Sequence, residues 1–158
     1  MRSPQIEVSM EVNAPRERVW EYAMDISHIP EFHPRVDKVE FLSGTKQRAE
    51  GVEYRCNILT GPSRGRGTCV EKTGNVVPME HFMTTIPEDS WGLSKLFLDY
   101  EVESSFEETD DGRTKMTIRQ YYSPRGLKGR LVNLIAHRRL TRQTLDMMSG
   151  MKQALERE

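Results

Sequence analysis

The sequence predicts an α+β domain: one strand, two short helices, six more strands and a long C-terminal helix. Three patterns carry that expectation. Residues 5–12 alternate apolar and polar side chains without fault. Between residues 36 and 123, alternating segments are separated by glycine-, proline- and asparagine-containing turns. From Leu127 to Glu158 a proline-free stretch shows helical apolar spacing.

In the first strand, Ile6, Val8, Met10 and Val12 point one way and Glu7, Ser9 and Glu11 the other. Asn13 and Pro15 then start a helix, Asn13 as N-cap and Pro15 where a missing N–H costs nothing. Val19, Trp20, Ala23 and Met24 are its apolar face. Asp25–Pro34 contains two prolines and a cap-like Asp or Ser, which predicts a second, short helix ending by Pro34. Val36–Leu42 reads as a strand closed by Ser43-Gly44. Val52, Tyr54, Cys56 and Ile58 form one face of the next strand. Gly61-Pro62-Ser63-Arg64 is its turn and Gly65–Lys72 its return, which sets Cys56 opposite Cys69.

Val76–Ile86 is a further strand, bounded by Gly74-Asn75 and Pro87. Its parity stays open: either Met79, His81 and Met83 face inward, or Glu80, Phe82, Thr84 and Ile86 do. Leu98, Tyr100, Val102, Ser104 and Phe106 then alternate with Asp99, Glu101 and Glu103. Asp110-Asp111-Gly112 is a three-residue hairpin loop, and Lys115–Ser123 returns. That loop sets Phe106 opposite Met116, Ser104 opposite Ile118, Val102 opposite Gln120 and Tyr100 opposite Tyr122. The same register puts Glu103 opposite Arg119 and Glu107 opposite Lys115, so both faces are satisfied at once. In the final helix, Leu131, Leu134, Ile135, Leu145, Met148 and Leu155 fall on one stripe, with Arg138 and Thr141 projecting into it. A kinked helix or a snorkelling arginine accounts for Arg138; so does an arginine lining a ligand cavity.

The chain has 158 residues and a net charge of −1. A single domain over residues 1–158 is expected. No stretch reaches the ~18–20 apolar residues that span a bilayer, and the first thirty residues lack the apolar core of a secretory signal, so a cytoplasmic protein is expected. Cys56 and Cys69 match no zinc spacing, and in a reducing compartment two free thiols are expected. The histidines are scattered, and neither a metal nor a cofactor is expected. No phosphate-binding glycine loop, nucleophile elbow or metalloprotease motif is present. Leu, Ile, Val and Phe amount to only about 22% of the chain, a thin supply for a solid core.

The element order and several local phrases resemble the START-like, or SRPBCC, superfamily, which includes polyketide cyclase/dehydrase-like proteins. The phrases are Ile6–Val12 running into Ala14–Trp20, then Asp25–Pro34 and the strand after it, then Gly112–Thr117 and Tyr122–Gly126. The resemblance covers essentially the whole chain. It implies a helix-grip fold, a seven-stranded curved antiparallel sheet wrapped around the C-terminal helix. Two short helices follow the first strand, and an internal cavity lies within. Members hold or carry apolar molecules, and some catalyse cyclisation or dehydration.

On the assigned inward faces the cavity is mostly apolar: Ile58, Leu98, Val102, Met116, Ile118, Leu134, Ile135 and Leu145. The ligand-binding candidates are Tyr54, Cys56, His81, Tyr100, Gln120, Tyr122, Leu134, Arg138 and Thr141. No residue is assigned a catalytic role. Asp99, Glu101 and Glu103 alternate outward, which leaves His81 as the one base at hand. The expected function is binding of a small hydrophobic or amphipathic molecule. A polyketide cyclase- or dehydratase-like enzyme and a membrane-surface or interaction module are the alternatives. The charge balance argues against nucleic acid as a partner. Membrane contact is expected to be transient at most, and a homodimer stays open. Trp91 sits in a loop, residues 87–92, that could cover the cavity mouth.

Overall fold

A computed structural model describes residues 2–60 and 65–157. The turn expected at 61–64 lies outside the described residues. Strand β1 (Ile6–Val12) keeps the predicted alternation: Ile6, Val8 and Val12 are buried and Glu7, Ser9 and Glu11 exposed. Helix α1 (Arg16–Met24) buries Val19, Trp20, Ala23 and Met24, as its spacing requires. Its N-cap position belongs to Pro15, without a side-chain cap. Asn13 is not the cap; its backbone N–H donates instead to Glu156. Asp25 caps the next element, a turn of 3-10 helix (Ile26–His28), by accepting from Ser27 N–H at 2.9 Å. Helix α2 (Ile29–Phe32) follows and ends before Pro34.

Six strands come next: β2 (Val36–Glu40), β3 (Glu53–Thr60), β4 (Gly65–Val77), β5 (His81–Asp89), β6 (Phe97–Glu108) and β7 (Thr114–Pro124). They and β1 form one antiparallel sheet in the order β1-β7-β6-β5-β4-β3-β2. Helix α3 (Leu93–Leu96) interrupts the link between β5 and β6, and α4 (Gly126–Glu156) closes the chain. The helix packs across the inner face against β1 and β7, with α2 on its flank. This is the helix-grip arrangement.

The predicted registers survive up to the irregularity in β6; beyond it the expected pairing of Tyr100 with Tyr122 is lost, because the ladder shifts between Leu98 and Glu101. Cys56 pairs with Cys69, Phe106 with Met116, Val102 with Gln120 and Glu103 with Arg119. The Arg119 guanidinium bridges Glu103 at 2.9 Å and Glu7 at 2.8 Å on the outer face. Two boundaries differ from expectation. Strand β4 does not stop at Gly74-Asn75 but continues to Val77 through a register shift. The Glu50 carboxylate accepts from the N–H groups of Asn75 and Val76, which supports the irregular backbone there. The turn falls at Pro78–Glu80, where Met79 takes a positive φ of 69°. In β6 a bulge with Asp99 at φ 52° breaks the alternation, so Leu98 turns outward instead of lining the interior.

The core also follows the chain's small aromatic supply. Trp20 meets Phe106 edge-on at 5.6 Å and Phe82 at 6.1 Å, which seals the end of the grip beneath α1.

Candidate functional site

The strand pattern decides which side chains face the hollow of the grip. Phe82 and Thr84 are buried, so β5 points them inward. His81 is therefore on the other parity, at the turn end of β5, paired with Val77 and Ser105. Its assignment to the ligand site is corrected: the strand starts one turn later than expected, and its inward set is the one containing Phe82.

The helix corrects two more assignments. Its sheet-facing side consists of Gly129, Val132, Asn133, Ala136, Leu140, Thr144, Met148, Met151 and Leu155. Leu134 is 75% exposed, and Arg138 is exposed with it on the outer side. Neither lines the interior. At Gly129 the backbones approach too closely for a side chain: a Cβ there would lie 2.8 Å from Leu96 O. Gly129, Val132, Asn133, Ala136 and Leu140 take the inner positions, and Leu127, Leu131, Leu134 and Ile135 are turned to solvent. Thr141 is half-buried and spends its hydroxyl on its own helix, donating to His137 O at 2.8 Å.

The other five candidates share the inner face. Tyr54, Cys56, Gln120 and Tyr122 are buried, and Tyr100 is half-buried. They fall into two groups. Toward α4, Tyr100 stacks on Tyr122 with centroids 5.3 Å apart and donates to the Gln120 side-chain oxygen. The Gln120 amide donates to Thr144 at 2.6 Å, and the Tyr122 hydroxyl donates to Asn133 at 2.6 Å. Sheet and helix are thus tied by satisfied polar pairs, as burial of such groups demands.

On the opposite wall stands a group that only partly figured in the sequence reading. Arg48, in the loop before β3, is 8% exposed. Its Nε donates to Ala23 O at 3.0 Å, its Nη1 to the Tyr54 hydroxyl at 2.8 Å and to Thr73 at 3.4 Å. The guanidinium also lies 4.7 Å from the centroid of Phe82 and 5.1 Å from that of Tyr54. Among the described residues no carboxylate lies within ion-pair distance of it. Among the described residues Arg48, and not Arg138, is the buried arginine.

Glu71 is the second addition. It pairs with Tyr54 across β3 and β4, so it shares the inner face with Tyr54, Cys56 and Cys69. Cys56 Sγ donates to Glu71 Oε2 at 3.8 Å. The signal for Glu71 was already in the sequence: the turn that sets Cys56 opposite Cys69 also sets Tyr54 opposite Glu71. No comparable pattern marks Arg48, which stands in a loop and is buried by long-range packing.

This wall keeps the Tyr54 phenol and the Cys56 thiol protonated. Burial pushes the Tyr54 phenol well above its ordinary value, with Glu71 adding to the rise and Arg48 opposing it. The hydrogen bond with Cys69 pushes the Cys56 thiol up, and burial adds to it. Burial also raises Tyr100 and Tyr122. Cys56, Cys69 and Glu71 bring three donor atoms within 4.8 Å of one another, the group among the described residues able to share a metal ion. Both thiols are free, and the raised Cys56 is far from the thiolate form that metal ligation uses.

The sheet opens beside α3. Pairing of β5 with β6 ends at Thr85 and Glu101, whereas β5 continues beside β4 to Asp89. The strands splay there into a cleft of about 420 Å³ lined by Ile86, Leu93, Phe97 and Tyr100, with Arg2 and Glu101 on its rim. Close by, Trp91 takes up the space over Gly67: a Cβ on that glycine would lie 2.0 Å from the indole ring. A second cleft of about 470 Å³ lies between α2, the start of β2 and α4.

Residues 3–156 match the family described as polyketide cyclase/dehydrase and lipid transport. The chain belongs to that family. Among solved structures, a Streptomyces aromatase/cyclase is 17% identical with a TM-score of 0.73, covering 96% of this chain and 93% of its own. A START superfamily protein from Mycobacterium smegmatis is 13% identical with a TM-score of 0.70, covering 96% and 97%. A Thermus thermophilus protein is 16% identical with a TM-score of 0.71, covering 95% of each chain. At these identities the likeness is one of fold. The comparison with curated proteins gives no match. The family and its fold are consistent with hydrophobic-ligand binding and with polyketide cyclase activity. Among the described residues no helix is long and apolar enough to cross a membrane.

Proposed function

We propose that this member of the family binds a small hydrophobic or amphipathic molecule inside the grip. The observation that carries the reading is the mixture on the concave face. Ile58, Val102, Met116 and Ile118 supply apolar wall, and Arg48, Tyr54, Glu71 and Tyr100 converge on it as polar groups. Ligand pockets have this make-up, with few polar groups that orient the guest. The raised phenols of Tyr54 and Tyr100 act as neutral hydrogen-bond donors or acceptors, suited to a carbonyl or hydroxyl. The cleft between β5, α3 and β6 is the entry, with Trp91 beside it.

The test is organic extraction of the purified protein with mass spectrometry of the extract, joined to titration with a polarity-sensitive naphthalene dye. Expected are a retained small molecule or saturable one-site dye binding, with a change in Trp91 emission that Trp91→Phe abolishes. An empty extract together with no saturable binding overturns the reading.

Glu71 favours a second reading, an enzyme of cyclase or dehydratase type. It is an inward carboxylate beside two protonated phenols, the combination that proton abstraction next to a carbonyl and reprotonation require. If the extracted molecule is turned over, Glu71→Gln is expected to abolish turnover and leave dye binding in place. Unchanged turnover removes Glu71 from the chemistry.

A further inference from the structure

The aliphatic side chains that α4 turns away from the sheet form a continuous feature. Leu127 is 74% exposed, Leu131 55%, Leu134 75% and Ile135 72%. Their spacing of four, three and one places them on one face over more than two turns. Leu145 extends the face at 40% exposure. Isolated exposed leucines need no explanation, but a row of this kind does.

The residues around the row are basic. Lys128, Arg130, Arg138, Arg139 and Arg142 are exposed on the same helix segment, and Arg125 precedes it. The segment from Arg113 to Leu145 contains no Asp or Glu; the first acid of α4 is Asp146. Among the described residues none of these five cations is within ion-pair distance of a carboxylate. Their charge is not spent within the fold.

We propose that this face of α4 docks the protein on an anionic lipid surface. Three observations select that occupant. The cations flank an aliphatic ridge, so the row can enter the headgroup boundary while the guanidinium groups stay at the level of the phosphates. A second copy packed on the same face would set arginines against arginines. Stable protein interfaces also bury ~800 Å² per partner around aromatic anchors, and this ridge is a single helix side with none. A peptide helix would need a groove to lie in, and the surface here is convex.

The location gives the docking a consequence. The ridge begins where α4 meets α3: Arg125 N–H donates to Leu96 O at 2.7 Å, and Gly129 packs on the same carbonyl. Helix α3 also borders the cleft that leads to Tyr100. Docking through this end brings the mouth of the grip next to the lipid.

The experiment is vesicle flotation of the full chain. It uses phosphatidylcholine alone and phosphatidylcholine mixed with phosphatidylglycerol, each at low and high salt. Binding to the anionic vesicles is expected to exceed that to phosphatidylcholine by ~10-fold or more and to fall steeply with salt. The double variant Leu134→Glu/Ile135→Glu is expected to lose ~10-fold or more of that binding with an unchanged circular dichroism spectrum, since both side chains are in solvent. Arg138→Gln/Arg142→Gln is expected to weaken it and flatten its salt dependence. Equal binding to both vesicle types, or no loss in the Leu134/Ile135 variant, overturns the proposal. So does a concentration-dependent dimer in sedimentation that the same variant abolishes, because a second copy would then be the occupant.

Discussion

The two halves of α4 treat their apolar residues in opposite ways. In the C-terminal half, Met148 is 0% exposed and Leu155 2%, with Met151 beside them, against β1 and α2. Gly150 lets α2 close in: a Cβ there would lie 2.3 Å from Phe32 O. In the N-terminal half, Leu127, Leu131, Leu134 and Ile135 face water, while Asn133 faces the sheet and bonds Tyr122; Thr144, just past the midpoint, bonds Gln120. One half is core; the other meets the sheet with a mixed face, Val132, Ala136 and Leu140 beside Asn133, and leaves an apolar row outside. Apolar periodicity along a helix therefore tells which residues share a face, but not which neighbour that face meets.

Four substitutions sharpen the contrast. Met148→Ala is expected to cost the most, about 2–5 kcal/mol by chemical denaturation, because a fully buried side chain is removed from a packed end. A loss below 1 kcal/mol, to order of magnitude, would show that this half is not core. Gly150→Ala comes next. Alanine favours a helix interior, yet the contact with Phe32 O is expected to reverse that and give a net loss of about 1–3 kcal/mol. A gain in stability would break the close-approach account.

His33, in the cleft between α2 and the same half of α4, gives a smaller, pH-dependent effect. Burial lowers its imidazole from 6.5 to about 4, with Arg35 adding to the shift. The unfolded chain takes up this proton near pH 6.5 and the folded chain only near pH 4. The contribution is thus complete above pH 6.5, falls as pH drops through this window, and is gone below pH 4. His33→Gln is expected to flatten the slope of stability against pH in that range; an unaltered slope contradicts it. Leu134→Ser in the exposed half is expected to change stability least, within about 0.5 kcal/mol in the same denaturation assay. A loss as large as that of Met148→Ala would erase the distinction between the halves.

Much of the fold was legible because it rests on local rules. The three-residue loop at Asp110–Gly112 set the β6–β7 register by counting, and the charges on one face agreed with the apolar pairs on the other. The Cys56–Cys69 pairing followed in the same way, and Glu71 was within reach of the same count. Where the backbone breaks its own period, counting fails. The bulge at Asp99 turned Leu98 outward, the irregular stretch at Gly74–Val77 moved the β4–β5 turn, and the parity of β5, open in the sequence, was decided by the burial of Phe82 and Thr84.

The site shows the same division. Alternation along β3, β6 and β7 put Tyr54, Cys56, Tyr100, Gln120 and Tyr122 on one concave face. Arg48 stands in a loop with no period, and its burial depends on α1, β3, β4 and β5 meeting around it.

The sequence by itself determined the order of elements, the hairpin registers and the inward face of most strands, since these depend on neighbours a few residues apart. Only the tertiary structure decided which arginine enters the interior and which side of α4 meets the sheet. Both depend on how closely distant backbones approach. At Gly129 and Gly150 that approach leaves no room for a side chain, and an apolar pattern along the helix has no means of recording it.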